Sequence, residues 1–134
     1  MAMTTHYPFK NILLVDDDEI STLISSTLLK HAKLATQIQS VYNGKEAIEY
    51  LTKECSENKF CPSLLFLDLN MPVMDGFEFL EAYTHNERLS QMDLSIVVLT
   101  SSAHSKDKEK VSQYPIKGFI TKPITPEKIQ AIFS

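Results

Sequence analysis

The sequence predicts an α/β fold, a doubly wound parallel sheet of five strands with helices on both faces. Three observations carry this expectation. Strand-like and helix-like spacings of apolar residues alternate along the chain from Lys10 to Phe133, the pattern of successive βα units. Two strand-like segments, Ser63 to Leu67 and Leu94 to Leu99, are nearly continuous apolar runs, as strands covered on both faces of a parallel sheet require. The connections are short, and no internal repeat, low-complexity tract or linker separates the units, which suits crossovers within a single sheet.

Each element has its own local reason. Lys10 to Val15 is a short β-rich run that stops at Asp16-Asp17-Asp18. From Ile20 the spacing turns helical through Leu23, Ile24, Thr27 and Leu28, with Asp18 or a neighbour placed to cap the helix. Thr36 to Tyr42 alternates Ile38 and Val41 with polar residues, an exposed strand closed by Asn43-Gly44. Lys45 to Lys53 carries Ala47, Ile48 and Leu51 on one helical face. After the run that ends at Leu67, a loop from Asp68 to Gly76 leads to a helix bearing Phe77, Phe79, Leu80 and Tyr83. Beyond the fourth strand, Thr100-Ser101-Ser102 leads into a lysine-rich helix, Ser105 to Gln113. Ile116 to Thr121 is the fifth strand, and Thr125 to Phe133 is a last helix with Ile129, Ile132 and Phe133 spaced to pack.

Composition narrows the function classes. With 134 residues the chain is long enough for one domain with one core, here Lys10 to Ser134 preceded by an N-terminal extension, residues 1–9. A net charge of −4 argues against a nucleic-acid surface, which needs a concentrated basic patch. No apolar run approaches the length needed to cross a bilayer, and the N-terminus lacks the apolar stretch of a signal peptide, so no membrane contact and a cytoplasmic address are expected. Cys55 and Cys61 lack a zinc-ligand pattern and are expected to be reduced thiols near the end of a helix. Lys106, Lys108 and Lys110, alternating with Asp107 and Glu109, read as a solvated helix face.

Polar residues stand where four of the strands end. Asp16 and Asp17 follow the first, Asp68 the third, Thr100 the fourth and Lys122 the fifth. In a doubly wound sheet these ends lie on one edge, where ligands bind near the topological switch point. Taken singly, the aspartates are turn and cap residues, Thr100 a helix start and Lys122 a solvated lysine. Their joint placement is what those readings leave unexplained. Three gathered carboxylates repel unless a cation sits among them, and hard oxygen ligands beside a phosphate suit Mg²⁺. Lys122 adds a point charge and Thr100 a hydroxyl donor. The set fits phosphoryl transfer to a carboxylate nucleophile.

Four segments carry a resemblance to a known family. Leu13-Leu14-Val15-Asp16-Asp17-Asp18, Leu67-Asp68-Leu69-Asn70-Met71-Pro72-Val73-Met74-Asp75-Gly76, Val98-Leu99-Thr100-Ser101 and Gly118-Phe119-Ile120-Thr121-Lys122-Pro123 resemble those of response-regulator receiver domains, in that family's order and spacing. The resemblance covers Lys10 to the C-terminus. It implies a flavodoxin-like receiver fold with strand order 2-1-3-4-5, and a phosphoacceptor role for Asp68. Asp16, Asp17 and Asp68, with the backbone carbonyl of Asn70, would hold Mg²⁺. Thr100 and Lys122 would contact the phosphoryl group, and Thr100 with Phe119 would form the switch. The Lys122-Pro123 bond is expected to be cis. Phe119 stands where many receivers have Tyr or His, and its ring tip cannot hydrogen-bond. Asn70 and Ser102, both small and polar, would leave water a path to the acyl phosphate.

The resemblance further implies a histidine kinase or histidine phosphotransfer protein as donor, and no catalysis beyond the chain's own phosphorylation and dephosphorylation. Because the chain ends just after the last helix, the signal is expected to leave through a surface. Its readers would be a downstream protein or a second copy in a phosphorylation-dependent dimer. That surface is either the face built by the lysine-rich helix, fifth strand and last helix, or the first helix. Two other chemistries fit worse. A haloacid-dehalogenase-like phosphohydrolase needs an acid two residues after its nucleophile, where Asn70 stands. A flavodoxin-like cofactor carrier needs an anion-cradling loop after the first strand, where three aspartates stand.

Overall fold

Along the described residues of the computed structural model (9–57, 60–101 and 105–133), strand and helix alternate. The order is β1 (Phe9–Val15), α1 (Glu19–His31), β2 (Ala35–Val41), α2 (Gly44–Glu57), β3 (Leu64–Asp68), α3 (Gly76–His85), α4 (Glu87–Ser90), β4 (Ser95–Thr100), α5 (Ser105–Val111), β5 (Gly118–Thr121) and α6 (Pro126–Phe133). All adjacent strands pair in parallel, in the order β2-β1-β3-β4-β5, the order that the family resemblance implies. Residues 1–8 of the N-terminal extension, Ser102 and Ser134 lie outside the described residues. Phe9 already pairs with Ala35, so β1 starts one residue before the apolar run suggests.

The period-two alternation of strands explains the continuous apolar runs. Leu13, Val15, Leu65, Leu67, Ile96 and Val98 face one side, where Ala47 and Leu51 of α2, Phe79 and Leu80 of α3 and Val111 of α5 cover them. Ile12, Leu14, Leu64, Phe66, Val97, Leu99 and Ile120 face the other, under Leu29 of α1 and Ile129 of α6. A polar side chain anywhere in β3 or the middle of β4 would therefore be buried whichever way it pointed. Asp68 is placed at the carboxyl end, where the layers open.

The helix starts are set by side chains. Asp18 accepts from the N–H groups of Ile20 and Ser21 at 3.0 and 3.4 Å, satisfying donors that the first turn leaves free. Asp75 and Glu78 form a reciprocal capping box at α3. The sequence reading missed α4. This single turn is capped by Asn86, whose side chain accepts from Arg88 and Leu89 at 3.1 and 3.0 Å, and it buries Leu89. One turn is too short for an apolar period to reveal.

The expectation of free thiols is corrected: Cys55 and Cys61 are joined by a disulfide, with Cα atoms 4.4 Å apart. Spacing alone could not show that the end of α2 turns back onto the segment leading to β3.

The loop from β3 to α3 is shaped by close backbone approach. Val73 has φ of 68°, and the Met74 N–H donates to the Pro72 carbonyl at 2.7 Å, a γ-turn in its rarer positive-φ form. For a β-branched residue this conformation costs on the order of 1–3 kcal/mol. The Met74 carbonyl then accepts from the Gly44 N–H at 2.9 Å, which fixes the loop to the start of α2. At Gly76 a Cβ would lie 2.7 Å from the Asp68 carbonyl oxygen and 2.8 Å from Leu69 Cα. Intrinsic propensity favours alanine over glycine in a helix by about 1 kcal/mol, whereas the clash opposes it. Gly76→Ala is expected to lower stability by about 2 kcal/mol, read as a lower urea midpoint at constant m-value. A midpoint at or above wild type would mean that the loop does not press on Gly76.

Candidate functional site

The switch point of this topology lies between β1 and β3, because the chain leaves β1 for β2 on one side and returns as β3 on the other. The register Val15↔Leu67 brings the residues just after β1 beside Asp68. Carboxylate oxygens of Asp16, Asp17 and Asp68 all lie within 4.8 Å of one another. Asp16 and Asp68 are buried, at 3% and 6% exposure, and Asp17 is exposed. This cluster could hold a metal ion, and an all-oxygen donor set of this size fits a hard divalent cation.

Asp16 is saturated with donors. It accepts from the Asp18 N–H at 3.0 Å, the Ser21 hydroxyl at 2.7 Å and Lys122 Nζ at 2.9 Å. Burial pushes its carboxyl upward, but these three donors outweigh burial and leave it below the ordinary value. Asp68 is held more loosely, by the Asn70 N–H at 3.3 Å and Lys122 Nζ at 3.4 Å. Burial raises it, Lys122 lowers it, and the charge on Asp16 raises it again, so that it titrates at about 6 instead of 3.8. Lys122 is lifted above its usual range: burial lowers it, and the two carboxylates more than compensate.

The other expected residues take graded positions. Thr100 closes β4, is 1% exposed and accepts the Lys122 N–H on its carbonyl at 2.7 Å. The Lys122-Pro123 bond is cis, as expected. Asn70 follows Asp68 by two residues and is exposed. Phe119 is not gathered with the carboxylates. It lies half-buried on β5, pairs in register with Val98 and sits beneath Lys108, whose Nζ is 5.5 Å from the ring centroid.

Two contributors escaped the sequence reading. Ser21 binds Asp16 from the first turn of α1, and its place three residues after the cap Asp18 is the signal that could have found it. Lys128 of α6 donates to the carbonyls of Thr121 and Pro123 at 2.7 and 3.0 Å, bracing the backbone on both sides of Lys122. Nothing in the local sequence marks that contact.

A doubly wound sheet with this order, carrying buried carboxylates and a lysine at its switch point, defines the receiver class of signalling domains. The family model of the response regulator receiver domain matches residues 12–134, and the chain belongs to that family. A hybrid signal transduction histidine kinase B of Dictyostelium discoideum is 31% identical over 129 residues, which span 90% of this chain but 6% of the kinase. A two component response regulator from Cytophaga hutchinsonii superposes with a TM-score of 0.85 at 25% identity, covering 93% of this chain and 94% of that one. The receiver domain of the histidine kinase CKI1 from Arabidopsis thaliana, complexed with Mg²⁺ and BeF₃⁻, gives 0.76 at 25% identity, covering 92% and 89%.

The raised Asp68 value has a signed consequence. Between pH 3.8 and about 6 the folded chain binds more protons at Asp68 than the unfolded chain. Its stability therefore falls as pH rises through that window. The full penalty above it is on the order of 2–3 kcal/mol. Without divalent metal, Asp68→Asn is expected to melt above wild type at pH 7.5, with the gain shrinking towards pH 4. A gain that is absent at pH 7.5, or constant with pH, would show that Asp68 is not strained as an anion.

Proposed function

We propose that this chain accepts a phosphoryl group on Asp68 from the phosphohistidine of a histidine kinase or histidine phosphotransfer protein, and signals through a phosphorylation-dependent surface. The observation that carries the reading is the position of Asp68. It is a nearly buried carboxylate at the end of β3, facing Asp16, Asp17 and Lys122 at the switch point. An Asp68 carboxylate oxygen would attack phosphorus in line. As the O–P bond forms, the P–N bond breaks and the imidazole nitrogen keeps the electron pair. Positioning and charge stabilisation supply the catalysis.

Asp16, Asp17, Asp68 and the Asn70 backbone carbonyl would hold Mg²⁺, which when bound neutralises charge on the phosphoryl oxygens. Its fit to the donor set and its presence in the CKI1 receiver domain support that choice. Lys122 now lies nearer Asp16 than Asp68. With a cation serving Asp16, its ammonium would be free to turn to the phosphoryl group, and Thr100 would donate its hydroxyl there. Thr100 drawn inward would leave room for Phe119 to turn in, shifting the population of two packings of α5, β5 and α6. The only chemistry in this reading is the chain's own phosphorylation and the later hydrolysis of its acyl phosphate.

The donor would meet the site across α1. Ile20, Leu23 and Ile24 are 70%, 67% and 48% exposed, and Ile20 and Ile24 line a cleft shared with Lys122 and Pro123. Large aliphatics left in water beside a reactive group favour an apolar helical partner. The reader of the signal, a downstream protein or a second copy, would use the α5–β5–α6 face. Among the described residues no helix is long and apolar enough to cross a membrane. A cytoplasmic address belongs to the same reading. That address requires the Cys55–Cys61 bond to resist the glutathione that keeps most cytosolic thiols reduced.

With acetyl phosphate and Mg²⁺, intact mass is expected to rise by one phosphoryl group in wild type and not in Asp68→Asn. Asp17→Ala should lose most of the rise and most of the melting shift given by millimolar Mg²⁺, since ligand binding to the native state stabilises it by mass action. A wild-type gain in Asp68→Asn would overturn the assignment of the acceptor. Equal Mg²⁺ shifts in wild type and Asp17→Ala would overturn that of the metal ligand.

A further inference from the structure

α5 is poorly equipped to hold itself in place. It has seven residues, too few for an isolated helix to persist in water, and of its side chains described here Val111 alone is buried. Beyond its end, Tyr114 donates its hydroxyl to Glu81 of α3 at 2.8 Å, which ties down the chain leaving the helix. The helix body is held differently. Lys110 Nζ lies 4.1 Å from the centroid of the Phe77 ring on α3. Lys108 Nζ lies 5.5 Å from that of Phe119 on β5. Among the described residues neither ammonium has a carboxylate within ion-pair distance. Two lysines two residues apart thus straddle the helix, each seated over an aromatic ring of a different element.

We propose that Lys108 and Lys110 are positioning residues that pin α5 and Phe119 in the unphosphorylated arrangement. Lys108 must then leave the Phe119 ring before Phe119 can turn inward. A cation is attracted by the ring face within about 6 Å of the centroid, and Lys108 sits near that limit. An inward turn carries the face away from the ammonium and removes the contact, while Lys110 over Phe77 remains as the pivot. Lys108 opposes switching without touching the phosphoryl site, and Lys110 holds the helix on which it does so. This inference rests on the phosphoacceptor reading above, and it assigns a role to lysines whose sequence pattern suggests only a wet helix face.

Because the Lys108 contact exists only in the resting arrangement, its loss favours the switched one. Lys108→Gln should bind beryllium fluoride, a phosphoryl mimic, about two- to fivefold more tightly at saturating Mg²⁺. Lys108→Arg, which keeps a cation over the ring, should stay near wild type. NMR of the full chain supplies a signature that simple stabilisation would not produce. The ε-methylene protons of Lys108 should be shifted upfield by the Phe119 ring in the free protein and return to ordinary positions on saturation, while those of Lys110 stay upfield. If beryllium fluoride shifts the Asp68 loop but the Lys108 protons stay upfield, or Lys108→Gln binds no more tightly than wild type, the lysine proposal is wrong and the phosphoacceptor reading stands. If wild type does not bind beryllium fluoride at all, both fall.

Discussion

Asp16 and Asp68 occupy adjacent strand ends and are both nearly out of water, so their mutual repulsion sets the terms for everything around them. Two anions with oxygens within 4.8 Å of each other repel by about 3.5 kcal/mol or more at the effective dielectric of a protein, about 20. That is a large part of the 5–15 kcal/mol by which a domain is ordinarily stable. The fold answers with the half-buried ammonium of Lys122 and with neutral donors aimed mainly at one partner. Asp16 takes the short contacts and Asp68 the long ones. The asymmetry leaves one carboxylate fixed and anionic and the other poorly solvated and loosely held.

The rest of the domain can be understood as holding that edge in place. Lys122 faces the aspartates with the backbone around it braced by the Lys128 contacts to Thr121 and Pro123. Asp68 emerges at the opening of the layers because β3 is buried along its whole length. The following loop folds back so tightly that Val73 takes a positive φ and Gly76 has no room for a side chain. Such backbone strain persists only where the surroundings hold it, here through the bond from Gly44 to Met74. The disulfide lies at the opposite, amino-terminal end of β3, where it can brace α2 without reaching the acidic edge.

Much of this was legible in the sequence. Strand order, the edge on which the polar residues meet and the cis peptide bond all follow from segments whose residues match a family pattern or whose apolar periods are strong. What escaped was tertiary. Ser21 and Lys128 act through contacts that no short motif encodes, and α4 is shorter than one apolar repeat. The Cys55–Cys61 bond depends on how the chain returns from α2. Lys108 and Lys110 looked solvated because charge alternation along a helix says nothing of the aromatic rings that neighbouring elements bring to it. The placement of Phe119 shows the same limit: its position in the chain was readable, its partner was not.

Of the three neighbouring carboxylates, Asp68 alone is the proposed nucleophile. Borohydride reduces an acyl phosphate to the alcohol and thereby marks the modified aspartate as homoserine. After phosphorylation by acetyl phosphate with Mg²⁺, reduction and peptide mass mapping, homoserine is expected at position 68 and unmodified aspartate at positions 16 and 17. Homoserine at 16 or 17, or none at 68 under conditions where the chain has gained phosphate, would contradict that assignment.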